Sequence, residues 1–266
     1  AIEASTVLEN ARLLEEERLR QRIEEELNVA RRIQQSLLPT TLPDTGWFRV
    51  CGSSEASHQV GGDYFDVAQK SSDAWAVVVA DVAGKGVSSA LMASFLQGAF
   101  LSASGSEAIP AVMARINAFL SERAEFGKYA TMFYATLDRK GQLTYTNAAQ
   151  CTPYLLRRSG EIEPLESTSP PLGLLPDSGF AAERREMRPG DRLIVYSDGV
   201  TEAQNAAGEF FGSKKLRAAI QGAAGESCGR MLARIRECVA EFTGGAEPDD
   251  DVTAMVVEFA GESAEQ

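Results

Sequence analysis

The sequence predicts an α+β domain built from antiparallel sheets, preceded by a long helix. Three observations carry this. Residues 1–38 contain neither Gly nor Pro and are dense in Glu, Arg and Leu. From Trp47 onward, short apolar runs alternate with turn residues at hairpin spacing. Finally, the later helical stretches arrive in pairs and do not alternate with strands, as a doubly wound parallel sheet would require. The division expected is therefore 1–38, a helical linker, and 39–266, one folded domain.

In the linker, Leu19, Ile23, Leu27, Ala30, Ile33 and Leu37 follow one another at gaps of 4, 4, 3, 3 and 4, an apolar helical stripe with charged flanks. A continuous helix of this length spans about 57 Å at roughly 1.5 Å per residue. Such a helix buries its stripe either along its own domain or in a parallel coiled coil with a second copy. "LPTTLPDTG" ends it with prolines and a turn.

"WAVVVADVAGKG" then reads as a buried strand, Trp75 to Ala80, ending in Asp81 and a glycine turn. "VSSALMASFLQGAFL" and "AIPAVMARINAFLSER" have helical spacing, their Met and Phe residues serving as core contacts. "YATMFYATLDRKGQLTYTNAAQ" is a hairpin, and a second strand pair surrounds "RRSGE". Pro171 to Gly173 shape a loop or strand end. "DRLIVYSDGV" is a buried strand running from Leu193 to Tyr196, followed by Asp198 before a glycine turn. "SKKLRAAIQ" and "CGRMLARIRECVAEF" are helical, and "DDDVTAMVVEF" leads three carboxylates into a last strand.

With 26 basic and 38 acidic residues, a formal charge of -12 and no basic run, the chain is a poor match for nucleic acid or an anionic membrane. No apolar stretch is long enough to cross a bilayer, so no membrane insertion is expected. Cys51, Cys151, Cys228 and Cys238 are scattered, without a CxxC pair, and read as thiols of a reducing cytoplasm. The chain opens on Ala1 within a helical pattern, as a fragment of a longer protein with an upstream sensor would.

The chemistry lies in the acids. "VGGDYFDV" places Asp63 and Asp66 inside a segment that otherwise asks to be buried. Asp81 and Asp198 follow apolar strands, and Asp250 precedes another. If Asp63, Asp81, Asp198 and Asp250 converge, each carboxylate pair at 4 Å repels by about 4 kcal/mol at an effective dielectric of 20. Several such pairs exceed the ~5–15 kcal/mol stability of a typical domain. A cation has to compensate, and oxygen donors without His or Cys suit Mg²⁺ or Mn²⁺ better than zinc. Four carboxylates are enough for two ions, the arrangement suited to phosphoryl hydrolysis. Asp66 either ligates directly or stands behind the ligands, and in "DDD" the register leaves Asp251 open beside Asp250.

The motifs "GGDYFD", "VADVAGKGVSSALM", "PPLGLLPD", "YSDGVTEAQN" and "DDDVT", in that order, resemble the PPM-type metal-dependent serine/threonine phosphatases. They are most similar to the bacterial branch of stage II sporulation protein E and the sigma-factor regulatory phosphatases. The resemblance covers residues 28–260 or so, "ARRIQQSLLP" included. It implies two stacked antiparallel sheets flanked by helix pairs, and two Mn²⁺ or Mg²⁺ ions held by Asp63, Asp81, Asp198, Asp250 and the backbone carbonyl of Val82. It also implies hydrolysis of a phosphoserine or phosphothreonine on a regulatory protein, an anti-anti-sigma-type domain, by a metal-activated water. The N-terminal helix would then be a dimeric transmission element. Two departures stand out. Ala83 occupies the place of a His in animal relatives, and "NAAQ" puts Ala149 and Gln150 where many bacterial relatives have Gly-His.

Plainer readings exist for the remaining residues. Gly84-Lys85-Gly86 fails the phosphate-loop pattern, since Gly86 stands where Ser or Thr is needed, so Lys85 opens the next helix from a turn or reaches the phosphate. His58 reads as a loop residue, and Glu202 and Asn205 as turn-stabilising. Two other functions compete with phosphatase activity. One is a catalytically idle domain of this fold that only binds a partner. The other is a nucleotide cyclase, since "GGDYF" echoes the Gly-Gly-Asp/Glu-Glu-Phe loop of diguanylate cyclases, with Tyr64 where a carboxylate is needed.

Overall fold

The computed structural model describes residues 2–57, 59–103, 107–123, 128–246 and 248–261, with the side chains of 2–8 and 123 left aside; Ala1 and His58 lie outside the described residues. Two five-stranded antiparallel sheets stack face to face, with a helix pair on each outer side.

A helix α1 (Ile2–Leu37) leads into β1 (Phe48–Glu55), β2 (Tyr64–Ser71) and β3 (Ala74–Val82). The helices α2 (Val87–Ser102) and α3 (Ile109–Arg123) come next, followed by strands β4 (Ala130–Asp138), β5 (Gln142–Ala148), β6 (Tyr154–Leu156), β7 (Ile162–Pro164), β8 (Glu183–Glu186) and β9 (Arg192–Tyr196). The chain closes with α4 (Asp198–Thr201), α5 (Gly212–Gly222), α6 (Cys228–Thr243) and β10 (Val252–Phe259). One sheet has the order β1-β10-β9-β6-β7 and the other β2-β3-β4-β5-β8.

The period-2 alternation of strands explains the layers. Phe65, Val77, Val79 and Phe133 from one sheet meet Phe48, Val50, Val195 and Met255 from the other in a dry core between them. The intervening residues face outward: Val78, Ala80, Met132 and Tyr134 pack on α2 and α3. Ile194, Tyr196 and Val256 pack on α5 and α6. Strands buried on both faces lose the alternating apolar–polar signature, which is why "AWAVVVADV" reads as one continuous apolar run.

Local chemistry sets the boundaries. Asp138 closes the β4–β5 hairpin by accepting from Lys140 N at 3.0 Å and Gln142 N at 2.8 Å. Ser227 caps α6 by accepting from Arg230 N, and Gly244 ends that helix at a φ of 68°. Two elements depart from the sequence reading. Asp198 does not precede a plain glycine turn but opens the one-turn helix α4. The strand β8, Glu-Arg-Arg-Glu, is an exposed edge held by its register with β5. Its charges leave no apolar period to detect, and they suit an unpaired edge.

The long helix is present, but its stripe does not lie along its own domain. Leu19, Ile23, Ile33 and Leu37 remain exposed, and only the C-terminal end is tied down. Gln97 Nε2 donates to Leu37 O at 2.5 Å, and Leu38 packs against the cores. The described cysteines are all free thiols, and no described helix is long and apolar enough to cross a membrane.

Candidate metal centre

The parity that builds the inter-sheet core also builds the site. Phe65, Val79, Val195 and Met255 face inward. Two residues back from Phe65 along the chain stands Asp63, and two on from Val79 stands Asp81. Ser197 follows Val195 in the same way, while Thr253 and then Asp251 precede Met255. The inward row thus changes from apolar to polar at one edge of the sandwich.

Asp251 is the hub. Its Oδ1 accepts from Ser57 N at 2.9 Å and Ser57 Oγ at 3.2 Å, and its Oδ2 from Gly62 N at 2.7 Å and Asp63 N at 3.3 Å. Four donors consume both oxygens and fix the 57–63 segment against β10. The approach is so close that a Cβ on Gly61 would collide with Asp251 Oδ2, and one on Gly199 with the Asp251 carbonyl. A Cβ on Gly62 would come within 2.8 Å of Val82 O. These glycines are therefore required by space.

Asp63, held in this way, is buried, and its Oδ2 has no hydrogen-bond partner. The hydroxyls of Ser197 and Thr253 lie beside it but donate to Asp251 O at 3.1 Å and Ser54 Oγ at 2.9 Å. Burial, then the charge of Asp81, raises the Asp63 pKa well above the carboxylate range. Burial, followed by the charges of Asp198, Asp250 and Asp251, pushes Asp81 up to about 7. Asp198 is raised too, by burial and then by Glu202 and Asp250. Among the described residues no Lys, Arg or His pairs with Asp63, Asp81 or Asp198; Lys85 reaches Asp250 Oδ2 at 3.3 Å and Asp249 O at 2.5 Å, both partners half-exposed. The fold therefore brings Asp63, Asp81, Asp198, Asp250 and Asp251 within electrostatic reach of one another, with Val82 beside them. As placed, no three His, Cys, Asp or Glu side chains among the described residues close on a single point as they would around an ion. The donors fit a hard divalent cation in kind: oxygen only, one of them buried and unpartnered.

Other candidates have local explanations. Asp66 accepts from Tyr64 Oη at 2.9 Å and from Val67 N at 2.7 Å, with Gln97 Nε2 at 3.4 Å, on the face covered by α2. Asn205 braces its own turn through Ala207 N and Glu209 N, and Glu202 ends α4. Gly173 N donates to Asn117 Oδ1 at 2.7 Å, fixing the "PPLG" segment. Lys85 does sit in the turn before α2. A cleft of about 450 Å³, lined by Lys85, Gly199, Glu202, Asn205, Asp249 and Asp250, opens at this edge. Ser197 and Thr253 were not singled out from the sequence, although counting in twos from Val195 and Met255 finds both.

Residues 71–260 match the family described as Stage II sporulation protein E. The chain belongs to that family. Among curated relatives, the phosphoserine phosphatase RsbU of Bacillus subtilis is 28% identical over 71% of this chain and 57% of its own. The chain spans 35% to 57% of the length of the curated relatives it matches. The PP2C domain of SiaA from Pseudomonas aeruginosa superposes with a TM-score of 0.78 at 22% identity, covering 91% of this chain and 98% of that one. The catalytic domain of the serine/threonine protein phosphatase PstP, in complex with 2 manganese ions, gives a TM-score of 0.61 at 16% identity over 79% of this chain and 97% of its own. These likenesses establish for this stage II sporulation protein E family member the two-sheet fold expected from its motifs. They also show that a protein of the same fold holds divalent metal.

Proposed function

We propose that this chain is a Mn²⁺- or Mg²⁺-dependent phosphoserine/phosphothreonine protein phosphatase. The observation that carries the reading is the set of raised, base-free carboxylates at one sheet edge. Other buried acids of the fold have partners; these lack one that only a cation can replace.

Asp63, Asp81, Asp198 and Asp250, with the Val82 carbonyl, would hold two ions. Asp250 is favoured over Asp251 because both Asp251 oxygens are spent on backbone and hydroxyl donors. Asp66 is likewise engaged elsewhere. When bound, such ions supply a nucleophilic water at neutral pH and neutralise phosphoryl charge. The chain's own part is positional. Asp251 clamps the Asp63 loop, Gly199 lets Asp198 approach β10, and Ser197 bridges Asp251 O and Thr253 N. Ala83 offers no proton, so either the leaving serine oxygen takes its proton from solvent or turnover is slow.

The substrate we infer is a phosphorylated regulatory protein of the anti-anti-sigma type, acting in the cytoplasm. The likeness to a protein named phosphoserine phosphatase supports this. The exposed stripe of α1 supports a homodimer through that helix below an upstream sensor domain. Its coupling to the site is supported by Gln34, whose amide donates to Gly61 O at 2.7 Å and accepts from Gly61 N at 3.0 Å, two residues before Asp63.

Phosphate release from phosphorylated regulatory domains, with and without Mn²⁺, tests the reading. Release only with metal is expected; none under either condition overturns it. A second reading, an idle domain that binds a partner, is favoured by one observation: among the described residues no three acids close on a point. Calorimetric titration with Mn²⁺ separates the two, because an idle domain binds its partner without metal. The cyclase reading has no support, since Tyr64 is buried and spends its hydroxyl on Asp66.

A further inference from the structure

The turn Asn147–Gln150, at the end of β5, holds the one non-glycine residue with a left-handed backbone among those described, Ala149 at a φ of 55°. Such a conformation costs an alanine on the order of 1 kcal/mol, so its surroundings must impose it. Three contacts do. Asn147 Nδ2 donates to Leu165 O at 3.1 Å, Asn147 Oδ1 accepts from Gln150 N at 2.8 Å, and Ala149 N donates to Ser167 Oγ at 3.2 Å. This strained turn sets the direction of Gln150.

Gln150 is only 5% exposed. Its Oε1 accepts from Thr131 Oγ1 at 2.6 Å and from Cys151 N at 3.2 Å. A backbone N–H can only donate, so the amide cannot be turned over without losing that bond, and Nε2 points away from it. Thr131 is the direct register partner of Asp81 across β3 and β4, which places the amide beside the acid row. The neighbouring Cys151 thiol feels Asp198, Glu202, Asp81 and Asp63 from the same spot. Yet Nε2 is buried with no hydrogen-bond partner. A buried donor left in this way costs about 1–3 kcal/mol. Its strained presentation makes sense if something else arrives to accept from it.

We propose that Gln150 is a substrate-binding residue of this site, its Nε2 donating to a non-bridging oxygen of the phosphoryl group. The proposal rests on the phosphatase reading above and adds a residue to it. Phosphoryl oxygens are acceptors only, which suits a donor whose own acceptor is already committed to Thr131 and Cys151. The amide carries no charge and does not titrate, so it contributes equally across the working pH range.

The test is calorimetric binding of inorganic phosphate to the Mn²⁺-loaded protein. Gln150→Met should weaken phosphate about ten- to hundredfold, the worth of a hydrogen bond to a charged group. Mn²⁺ affinity and the thermal midpoint should stay near the parent's. With kinetics, kcat/KM should fall equally for a phosphoserine protein and for p-nitrophenyl phosphate, which share only the phosphoryl group. Parent-like phosphate affinity in a folded Gln150→Met protein overturns the proposal, as does a loss confined to the protein substrate. Should that variant not fold, Gln150→Leu removes the amide without adding charge, and the same two outcomes decide. A parent that binds no phosphate with Mn²⁺ overturns the phosphatase reading itself, and this one with it.

Discussion

The strand β9 has an aspartate at each end, and the fold treats them in opposite ways. Asp191, just before it, is 2% exposed and fully served: Arg157 Nη1 donates at 2.9 Å, Arg158 N at 3.0 Å and Arg188 N at 2.9 Å. Glu163 extends the arrangement, bridging Arg157 and Arg185. Asp198, just after it, has only acids, Glu202 and Asp250, as charged neighbours, with the backbone N–H groups of Gly199 and of its own residue set against them. Six residues, β9 and Ser197, separate a finished ion pair from an unfinished cluster. The lesson is that this sequence surrounds a structural acid with donors, whether a base as at Asp191 or backbone and side-chain groups as at Asp251 and Asp66, so a cluster short of them marks a place where something from outside completes the charge.

The contrast can be broken most strongly at the acidic end. Asp81→Asn should lower Mn²⁺-dependent phosphate release by about a thousandfold, roughly 4 kcal/mol of lost transition-state stabilisation, whereas Asp191→Asn should leave it within twofold. Equal losses in both variants would erase the distinction. Next in size, Asp251→Ala strands the Gly62 and Asp63 N–H groups, and urea unfolding should show a loss of about 3 kcal/mol. At the finished end, Arg157→Met leaves Asp191 with two backbone donors, which limits the cost in the same urea assay to about 2 kcal/mol with activity unchanged.

The smallest effect sharpens the contrast through pH. Burial and the neighbouring acids push the Asp81 pKa up to about 7 in the folded chain, whereas in the unfolded chain it returns to the ordinary carboxylate value of 3.8. The unfolded state therefore loses its proton first, and the metal-free protein loses stability as pH rises from about 4 to about 7. Asp81→Asn cannot ionise. In chelator, the variant's thermal midpoint should exceed the parent's by about 3 °C at pH 7.5 and match it near pH 4. A gap that stays constant with pH would show that burial of Asp81 is not what raises it.

Much of this was legible in the sequence because strands count in twos and the acids fall at their ends. Asp63, Asp81, Asp198 and Asp250 stand out from the apolar runs beside them, and the fold brings them within electrostatic reach of one another, though among the described residues no three close on a point. What sequence could not separate was the duty of adjacent carboxylates. Asp250 and Asp251 have the same chemistry; only the donors that fold onto Asp251 distinguish them, and Ser57 and Gly62 lie nearly two hundred residues away in sequence. Asp66 was ambiguous for the same reason, its partners Tyr64 and Gln97 being visible only once α2 covers β2. Gln150 appeared in the sequence merely as a departure from a motif. Its unpartnered nitrogen follows from the backbone of Ala149, which no residue pattern encodes.

The four donors on Asp251 carry a kinetic consequence. They hold the Asp63 loop to β10 through covalently attached groups alone, so that loop is set when the chain finishes folding. Amide exchange at Gly62 and Asp63 should therefore be equally slow in chelator and in Mn²⁺.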